Sequence, residues 1–224
     1  MERHFDEELR QLNQEILRMG SLVEEALTKS IKALVDRNLP LAQEVMRSDE
    51  AINMLEIEID ELCLRLLALR QPAAADLRFI TMALKINNDL ERMGDQAVNI
   101  AERTVELLKE PLLKPLIDIP RMAQIAQEMT RAGLDAFVNR DAELARGVCR
   151  RDDEVDRLND AVFQELLVFM RRDPQTVGRA VDLILIGRHL ERVADHATNL
   201  AEDVIYMVQG RTIKHHIEEK RGVA

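Results

Sequence analysis

The sequence has few of the residues that build strands, tight turns and disulfide frameworks. Among 224 residues only 3% are aromatic, none is tryptophan, and there are eight glycines, six prolines and two cysteines. Because Cys63 and Cys149 stand alone, without the CxxC spacing of metal or redox motifs, we interpret both as buried thiols. The chain is rich instead in Leu, Ala, Glu, Arg and Met, a composition that favours helices.

Two further absences bear on the partners and the location of the protein. The formal net charge is -10, and no cluster of Lys and Arg is interleaved with aromatics, so we expect no direct binding to nucleic acid. No apolar run is long enough to span a bilayer, and the first ten residues, MERHFDEELR, lack the apolar core of a signal peptide. We therefore expect a cytoplasmic protein.

Apolar residues recur every three or four positions over long segments, which predicts helices that pack on other helices. The pattern runs from Leu9 to Ser30, within a first helix predicted at about 6–35. It recurs from Ile52 to Leu69, from 86 to 100 and from 183 to 207, and no segment alternates with the period of two typical of strands. The prolines are expected to lie between helices, at Pro40, Pro72, Pro111, Pro115, Pro120 and Pro174.

One pattern occurs twice in the chain. DLERMGDQAVNIAE, residues 89–102, returns one hundred residues later as HLERVADHATNLAE, residues 189–202, with eight of the last thirteen positions identical. Upstream, residues 19–49 match residues 122–152 at ten of 31 positions with an offset of 103. A short insertion around QPAAADLR in the first copy explains the change of offset. Since helix propensity alone does not fix register, the matches indicate a tandem repeat.

The repeat predicts an all-α fold made of two antiparallel three-helix bundles in tandem, with six long helices. The predicted parts are a first bundle at 1–110, a Pro-rich linker at 111–120, a second bundle at 121–210 and a polar C-terminal tail at 211–224. We expect the tail, with His215 and His216, to be mobile. Long exposed helix faces also allow a homodimer.

Four of the predicted helices carry oxygen-bearing side chains along one face. The stripes on the third and sixth helices consist of Glu91, Asp95, Asn99 and Glu102 and of Glu191, Asp195, Asn199 and Glu202. The stripes on the second and fifth helices consist of Asp49, Asn53, Glu56 and Asp60 and of Asp152, Asp156 and Asn159. Like charges at i and i+4 cost an isolated helix about 0.2–0.5 kcal/mol, so we expect positive charge nearby.

Either of two sources could supply that positive charge. Arg92 and Arg192 adjoin the acids, and a network of solvated surface ion pairs would need no ligand. Alternatively, carboxylate and amide oxygens suit Mg²⁺, Mn²⁺, Ca²⁺ or iron, held as a cluster or string of ions on each bundle. His189 and His196 correspond to Asp and Gln in the first copy, so we interpret both as incidental, although either could add a nitrogen ligand.

Several segments resemble the PhoU family, the accessory proteins of phosphate-specific transport. They are FDEELRQLNQEILRMGSLVEEAL, RQPAAADLR and the paired LERMGD and LERVAD, and the resemblance extends in register from Phe5 to about Gly210. It implies two three-helix bundles and a cytoplasmic protein that attaches to the membrane through its partners. It also implies negative regulation of the phosphate-starvation response, by linking the ATPase subunit of the phosphate ABC transporter to a sensor histidine kinase.

The resemblance further implies metal binding through ExxxD pairs. We expect divalent or iron-type ions such as Mg, Mn, Fe or Zn, among which the ligands do not choose. Matched residue by residue, the implied ligands are Glu91, Asp95, Glu191, Asp195, Asp49, Asp152 and Asp156. Asn53 stands where the second copy has Asp156, so the first copy departs from the motif there.

Three functions remain open from the residues alone. A non-enzymatic signalling adaptor is favoured, because no phosphate-binding loop or nucleophile elbow occurs while long helical surfaces suit partner helices. A di-iron carboxylate metalloenzyme is disfavoured, because such sites need Glu-x-x-His pairs pointing into a four-helix core and the chain has no such pair. A metal-free helical scaffold is the third.

Overall fold

Seven α-helices and one short 3-10 helix make up the computed structural model, which describes residues 2–213, with side chains from residue 5 onward. The helices are α1 (Glu2–Val35), α2 (Leu39–Arg70), α3 (Ala74–Leu107), α4 (Asp118–Asn139), α5 (Ala142–Cys149), α6 (Asp152–Arg172) and α7 (Val177–Gln209), with the 3-10 helix at Pro174–Thr176. Within residues 2–213 there is no strand, and none of these helices has the length and apolar composition to cross a membrane. His215 and His216 lie outside the described residues.

The two predicted three-helix bundles are confirmed, with one modification. Helices α1 to α3 form the first bundle, and α4 to α7 form the second, in which α5 and α6 together take the place of α2. The predicted fifth helix is interrupted at Arg150 and Arg151, whereas α2 continues through the matching Arg47 and Ser48. As a result, Asp152 opens a new helix, where the helix dipole favours negative charge.

The same turn joins the first two helices of each copy. Arg37 and Arg140 end α1 and α4 in the left-handed region, with φ of 53° and 52°. The next residue caps the following helix: the side chain of Asn38 accepts a hydrogen bond from the Leu41 N–H at 3.0 Å, and Asp141 does the same at the start of α5. The repeat thus preserves a turn as well as a helix pattern.

Two prolines differ from their predicted place between helices. Pro40 lies in the first turn of α2, and Pro120 lies in the first turn of α4, because α4 begins at Asp118, inside the predicted linker. Proline is tolerated there, since the N–H groups of a first turn have no partner within the helix.

The predicted core positions lie inside the bundles, with one exception. Leu12, Ile16 and Met19 of α1 are fully buried, as are most apolar residues of the two central helices, α3 and α7. Burial of these side chains is the main force that holds the helices together. The prediction for Leu69 was wrong: it is 69% exposed, because it lies in the last turn of α2 at the edge of the buried arc.

The two bundles meet through α3 and α7, which run antiparallel, and through α1 and α4. Asp89 of α3 lies 2.9 Å from His196 of α7, and Gln96 lies 2.9 Å from His189. Position 89 matches 189 in the repeat, and 96 matches 196. Exchanging the two copies therefore turns one of these contacts into the other. Such reciprocity is the signature of a two-fold interface.

The contact between α1 and α4 is reciprocal in the same way. Arg131 donates to Glu24 at 2.6 Å, and Gln127 donates to Thr28 at 3.1 Å, while 24 matches 127 and 28 matches 131. Gly20 permits the close approach of these helices, because a Cβ there would collide with the end of the Leu134 side chain. The chain is therefore pseudo-symmetric, with one acidic cluster on each side.

Candidate functional site

The first acidic cluster consists of Asp49, Asn53 and Glu56 of α2 and Glu91 and Asp95 of α3. Burial raises the pKa of the Glu91 carboxyl, and the nearby charges of Asp95, Glu56 and Asp49 add to the rise. Burial also raises the pKa of Asp95, with Asp49 as the next cause. These directions show that the carboxylates of the two helices face one another and repel.

Arg92 compensates only part of this negative charge. Its guanidinium lies 3.5 Å from Glu91 Oε2 and 3.7 Å from Asp95 Oδ2, which lowers both pKa values somewhat. The arginine side chain is 55% exposed, so water screens the attraction. The net pKa shift of both acids remains upward despite the ion pairs.

The second acidic cluster consists of Asp152, Asp156 and Asn159 of α6 and Glu191 and Asp195 of α7. Burial raises the pKa of Asp152 to about 6, and the charges of Asp195 and Asp156 contribute further. Burial and the charge of Glu191 raise the pKa values of Asp156 and Asp195. Arg188, one turn before Glu191, forms an ion pair with it.

One carboxylate oxygen in each cluster is buried without a hydrogen-bond partner. These atoms are Asp49 Oδ1 and Asp152 Oδ1, at matching positions of the two copies. The Thr198 hydroxyl lies near the Asp152 carboxyl and lowers its pKa somewhat, but neither Thr198 Oγ1 nor Asp152 Oδ1 makes a hydrogen bond of ordinary geometry. In the first cluster the Asn53 side chain donates to the other oxygen, Asp49 Oδ2, at 2.9 Å. An unpaired buried carboxylate oxygen costs free energy, and a bound cation would remove that cost. The donor set in both clusters therefore fits a hard or borderline metal ion.

The side-chain amides that donate to acidic residues differ between the two copies. Asn87 of α3 donates to Asp60 Oδ1 at 3.0 Å and to the Glu56 carbonyl at 2.9 Å. The second copy has Gly187 at that position, where a Cβ would stand 2.8 Å from Asn159 Oδ1. The glycine makes room for Asn159, which donates to Glu191 Oε2 at 2.8 Å.

The seven predicted ligands all fall in these two clusters, but they are not arranged as a finished metal centre. In the side chains described, those of residues 5–213, no three His, Cys, Asp or Glu groups converge closely enough to hold an ion. The Asp95 side chain is 38% exposed and therefore has room to change rotamer, whereas Glu91 is 18% exposed.

The two histidines of α7 lie at the contact between the bundles, a position that their interpretation as incidental did not foresee. His189 and His196 each contact α3 through Nδ1. Burial, together with the charges of Arg192 and Arg103, lowers the pKa of His189 to about 4, so its ring is neutral at pH 7. The replacement of Asp89 and Gln96 by His between copies was visible in the sequence, but the crossing of α3 and α7 that pairs them was not.

Burial disfavours the thiolate form of both cysteines. Cys63 is buried, as predicted, and Cys149 is half-buried. Burial raises the pKa of the Cys63 thiol to about 12 and that of Cys149 to about 11, with Glu202 as a further cause for Cys149. Thiols with such pKa values are poor nucleophiles at neutral pH.

A protein-family model described as the PhoU domain matches the chain twice, at residues 16–104 and 119–204. The chain belongs to the PhoU family. Each match falls within one bundle, so the PhoU domain is the unit that the sequence repeats.

Curated PhoU proteins are similar to the chain over nearly their whole length. The "Phosphate-specific transport system accessory protein PhoU homolog" of Aquifex aeolicus is 44% identical over 214 residues, which cover 95% of this chain and 97% of the relative. The PhoU homolog of Pseudomonas aeruginosa is 41% identical over 212 residues, 94% of this chain and 88% of the relative.

Solved PhoU structures share the fold. The crystal structure of PhoU from Pseudomonas aeruginosa aligns with a TM-score of 0.89 at 41% identity, covering 92% of this chain and all of the other. The phosphate transport system regulatory protein PhoU from Streptococcus pneumoniae aligns with a TM-score of 0.88 at 31% identity, covering 94% and 99%. These names describe accessory and regulatory proteins of phosphate transport.

Proposed function

We propose that this PhoU-family protein is a cytoplasmic negative regulator of the phosphate-starvation response. It acts as a non-enzymatic adaptor that links the ATPase subunit of a phosphate ABC transporter to a sensor histidine kinase. The observation that carries this proposal is the similarity to accessory proteins of the phosphate-specific transport system over 95% of the chain.

The shape of the molecule supports an adaptor. The pseudo-two-fold arrangement leaves the second-helix face of each bundle, on α2 and on α6, directed away from the central helices. Two such faces on one rigid body can engage two partners at once, which is how an adaptor differs from an enzyme with a single concave site. Membrane association would then come through the partners.

We further propose that the two acidic clusters bind divalent or iron-type metal ions, such as Mg, Mn, Fe or Zn. The ligands would be Asp49, Glu91 and Asp95 in the first cluster and Asp152, Asp156, Glu191 and Asp195 in the second. Support comes from the unpaired buried oxygens and from the upward pKa shifts of five of these seven acids. A metal ion would neutralise the mutual repulsion, and the exposed carboxylates would change rotamer to reach it.

A deletion of the gene tests the proposed regulation. In the organism that carries it, a reporter driven by a phosphate-starvation promoter should be off at high phosphate, and deletion should switch it on. Expression of the wild-type chain should restore repression, while an empty vector should not. A deletion strain that still represses the reporter at high phosphate would refute the role in negative regulation.

A further inference from the structure

The face of α2 that points away from the bundle carries exposed apolar side chains. α2 packs on α1 and α3 through one face, which buries residues such as Ile52 and Ile59. On the solvent side, Met46, Ile57 and Leu64 are 38%, 50% and 61% exposed. Apolar side chains aligned along a soluble helix are typical of a surface that another chain covers.

These three residues form one straight line along the helix, which we call the α2 stripe. At 100° per residue, Met46, Ile57 and Leu64 fall within about 20° of each other around the α2 axis. Leu64 follows Met46 by 18 positions, so at about 1.5 Å per residue the α2 stripe spans about 27 Å. The α2 stripe is therefore long enough to receive about five turns of another helix.

Acidic residues border the α2 stripe on both sides. From Asp49 to Glu61, the middle of the α2 stripe, the chain has six acidic residues and no Lys or Arg, whereas Arg47 and Arg65 stand at the two ends of the stripe. By the same helical geometry, Glu50 and Glu61 lie on one side of the α2 stripe, and Asp49, Glu56 and Asp60 lie on the other. An apolar line between two acidic borders is complementary to an apolar line between two basic ones.

The repeat does not reproduce the α2 stripe on α6. Met46, Ile57 and Leu64 correspond to Cys149, Asp160 and Leu167, of which Cys149 and Leu167 are half-buried and Asp160 is exposed. The central apolar position is thus replaced by a charge in the second bundle. Although the rest of the fold is pseudo-symmetric, α6 therefore lacks the counterpart of the α2 stripe.

The acidic borders also decide among possible occupants. In a symmetric dimer formed by two antiparallel α2 helices, the acids between Asp49 and Glu61 of one copy would face the same acids of the other. A membrane surface rich in anionic lipid would be repelled for the same reason. A helix with an apolar face bordered by Lys and Arg meets neither obstacle.

We propose that the α2 stripe is a docking surface for an amphipathic helix of a partner protein, with basic residues along both borders of its apolar face. This inference rests on the proposed adaptor function, since it assigns one of the two partner contacts to one face. The apolar contacts supply affinity, while the acidic borders orient the helix and accelerate its association.

The test measures the affinity of the full chain for the two proposed partners. Each partner, the intact phosphate transporter or the full-length sensor kinase, is held in nanodiscs of zwitterionic lipid so that lipid charge does not contribute. The test variant is Ile57→Asp, which copies the residue that the second bundle carries at the matching position. The matched control is Phe163→Asp on α6, where the side chain is 41% exposed, similar to Ile57.

We expect Ile57→Asp to weaken binding to one partner at least 10-fold while Phe163→Asp leaves that affinity within 2-fold. Glu50→Lys with Glu61→Lys should weaken the same complex and reduce its dependence on salt. A photo-crosslinking amino acid at position 57 should label a segment of that partner with an apolar face and basic borders.

The other outcomes overturn the docking proposal, and they separate it from the adaptor function. If the wild-type chain binds a partner and Ile57→Asp binds equally well, the docking surface is wrong and the adaptor function stands. If sedimentation shows a wild-type dimer that Ile57→Asp converts to a monomer, a second copy covers the α2 stripe instead. If the wild-type chain binds neither partner, the adaptor function fails as well.

Discussion

Asp49 Oδ1 and Asp152 Oδ1 occupy matching positions in the two copies, and each is buried without a hydrogen-bond partner in the described part of the chain. Six buried side-chain polar atoms of residues 5–213 lack a partner, and among them these two alone occupy matching positions, which connects the feature to what the copies share. They share an acidic cluster between the second and third helices of a bundle. A cation in that place would satisfy both oxygens.

Metal content should therefore depend on the carboxylates of both clusters. We expect the natively purified protein to contain stoichiometric metal, and the variant Glu91→Gln, Asp95→Asn, Glu191→Gln, Asp195→Asn to contain none. Elemental analysis of both proteins measures this and identifies the ion. A variant with Glu106→Gln and Glu143→Gln, at exposed acids outside the clusters, serves as the control. Metal-free wild-type protein that takes up no Mg²⁺, Mn²⁺, Fe²⁺ or Zn²⁺ would leave the clusters as solvated acidic surface.

The stability of the metal-free protein should respond to pH through Asp152. Its pKa is about 6 in the fold, against 3.8 as the ordinary value, so the folded protein holds this proton more tightly than the unfolded chain does. Asp152 therefore contributes its whole share to the free energy of unfolding below about pH 4, and this share is lost as the pH rises through about 6. With a chelator present, Asp152→Asn should be more stable than the wild type at pH 7.5, with a smaller gain at pH 4.

Urea unfolding at the two pH values measures this difference, and Asp153→Asn, at an exposed neighbour in the same helical turn, is the control. An equal effect of Asp152→Asn at pH 4 and pH 7.5 would show that repulsion and burial do not act on this carboxyl.

The contact between the bundles should depend on His196. Its ring and the Asp89 carboxylate are both largely buried, with 22% and 14% of their side chains exposed. His196→Ala removes the partner of Asp89, so we expect a loss of about 1–3 kcal/mol in the free energy of unfolding. A double-mutant cycle with Asp89→Ala should show that the two changes are not additive. Additive effects would mean that the pair contributes no coupling.

An ion pair at this interface should matter more than a shorter one at the surface. Lys85 reaches Asp203 across the bundles at 3.4 Å, with the Asp203 side chain 4% exposed and the Lys85 side chain 53% exposed. Lys109 and Glu106 stand 2.6 Å apart, but their side chains are 64% and 46% exposed. Because the Asp203 carboxylate is less screened than a surface one, Lys85→Ala should destabilise the protein by about 1 kcal/mol and Lys109→Ala by about 0.5 kcal/mol or less. Chemical denaturation of the two variants compares them, and equal losses would contradict the argument.

The sequence was sufficient to predict the bundles and the residues of the acidic clusters, because both follow from helix phase. Glu91 and Asp95 must share a face if they lie on one helix, and the repeat places Glu191 and Asp195 in the same way. The angular positions of residues around each helix axis do not determine how the two bundles cross. The pairing of His196 with Asp89 depends on α3 and α7 running antiparallel at one register.

The break before Asp152 also escaped prediction, for a different reason. Apolar spacing continues through Arg150 and Arg151, just as it does through the matching residues of α2, yet only the second copy is interrupted. Leu69 shows the converse, since an apolar residue in the right phase is still exposed when it lies at a helix end. The spacing of apolar residues predicts which face of a helix is apolar. It does not predict which neighbouring helices cover that face, because that depends on the tertiary structure.

The measurement that tests the account most directly is the autophosphorylation rate of the sensor kinase. The full-length kinase and the phosphate transporter are reconstituted together in nanodiscs, with phosphate, and the rate is compared with and without this protein. We expect the protein to lower the rate several-fold, and omission of the transporter to abolish the effect. An unchanged rate at saturating protein, with both partners present, would contradict the adaptor function.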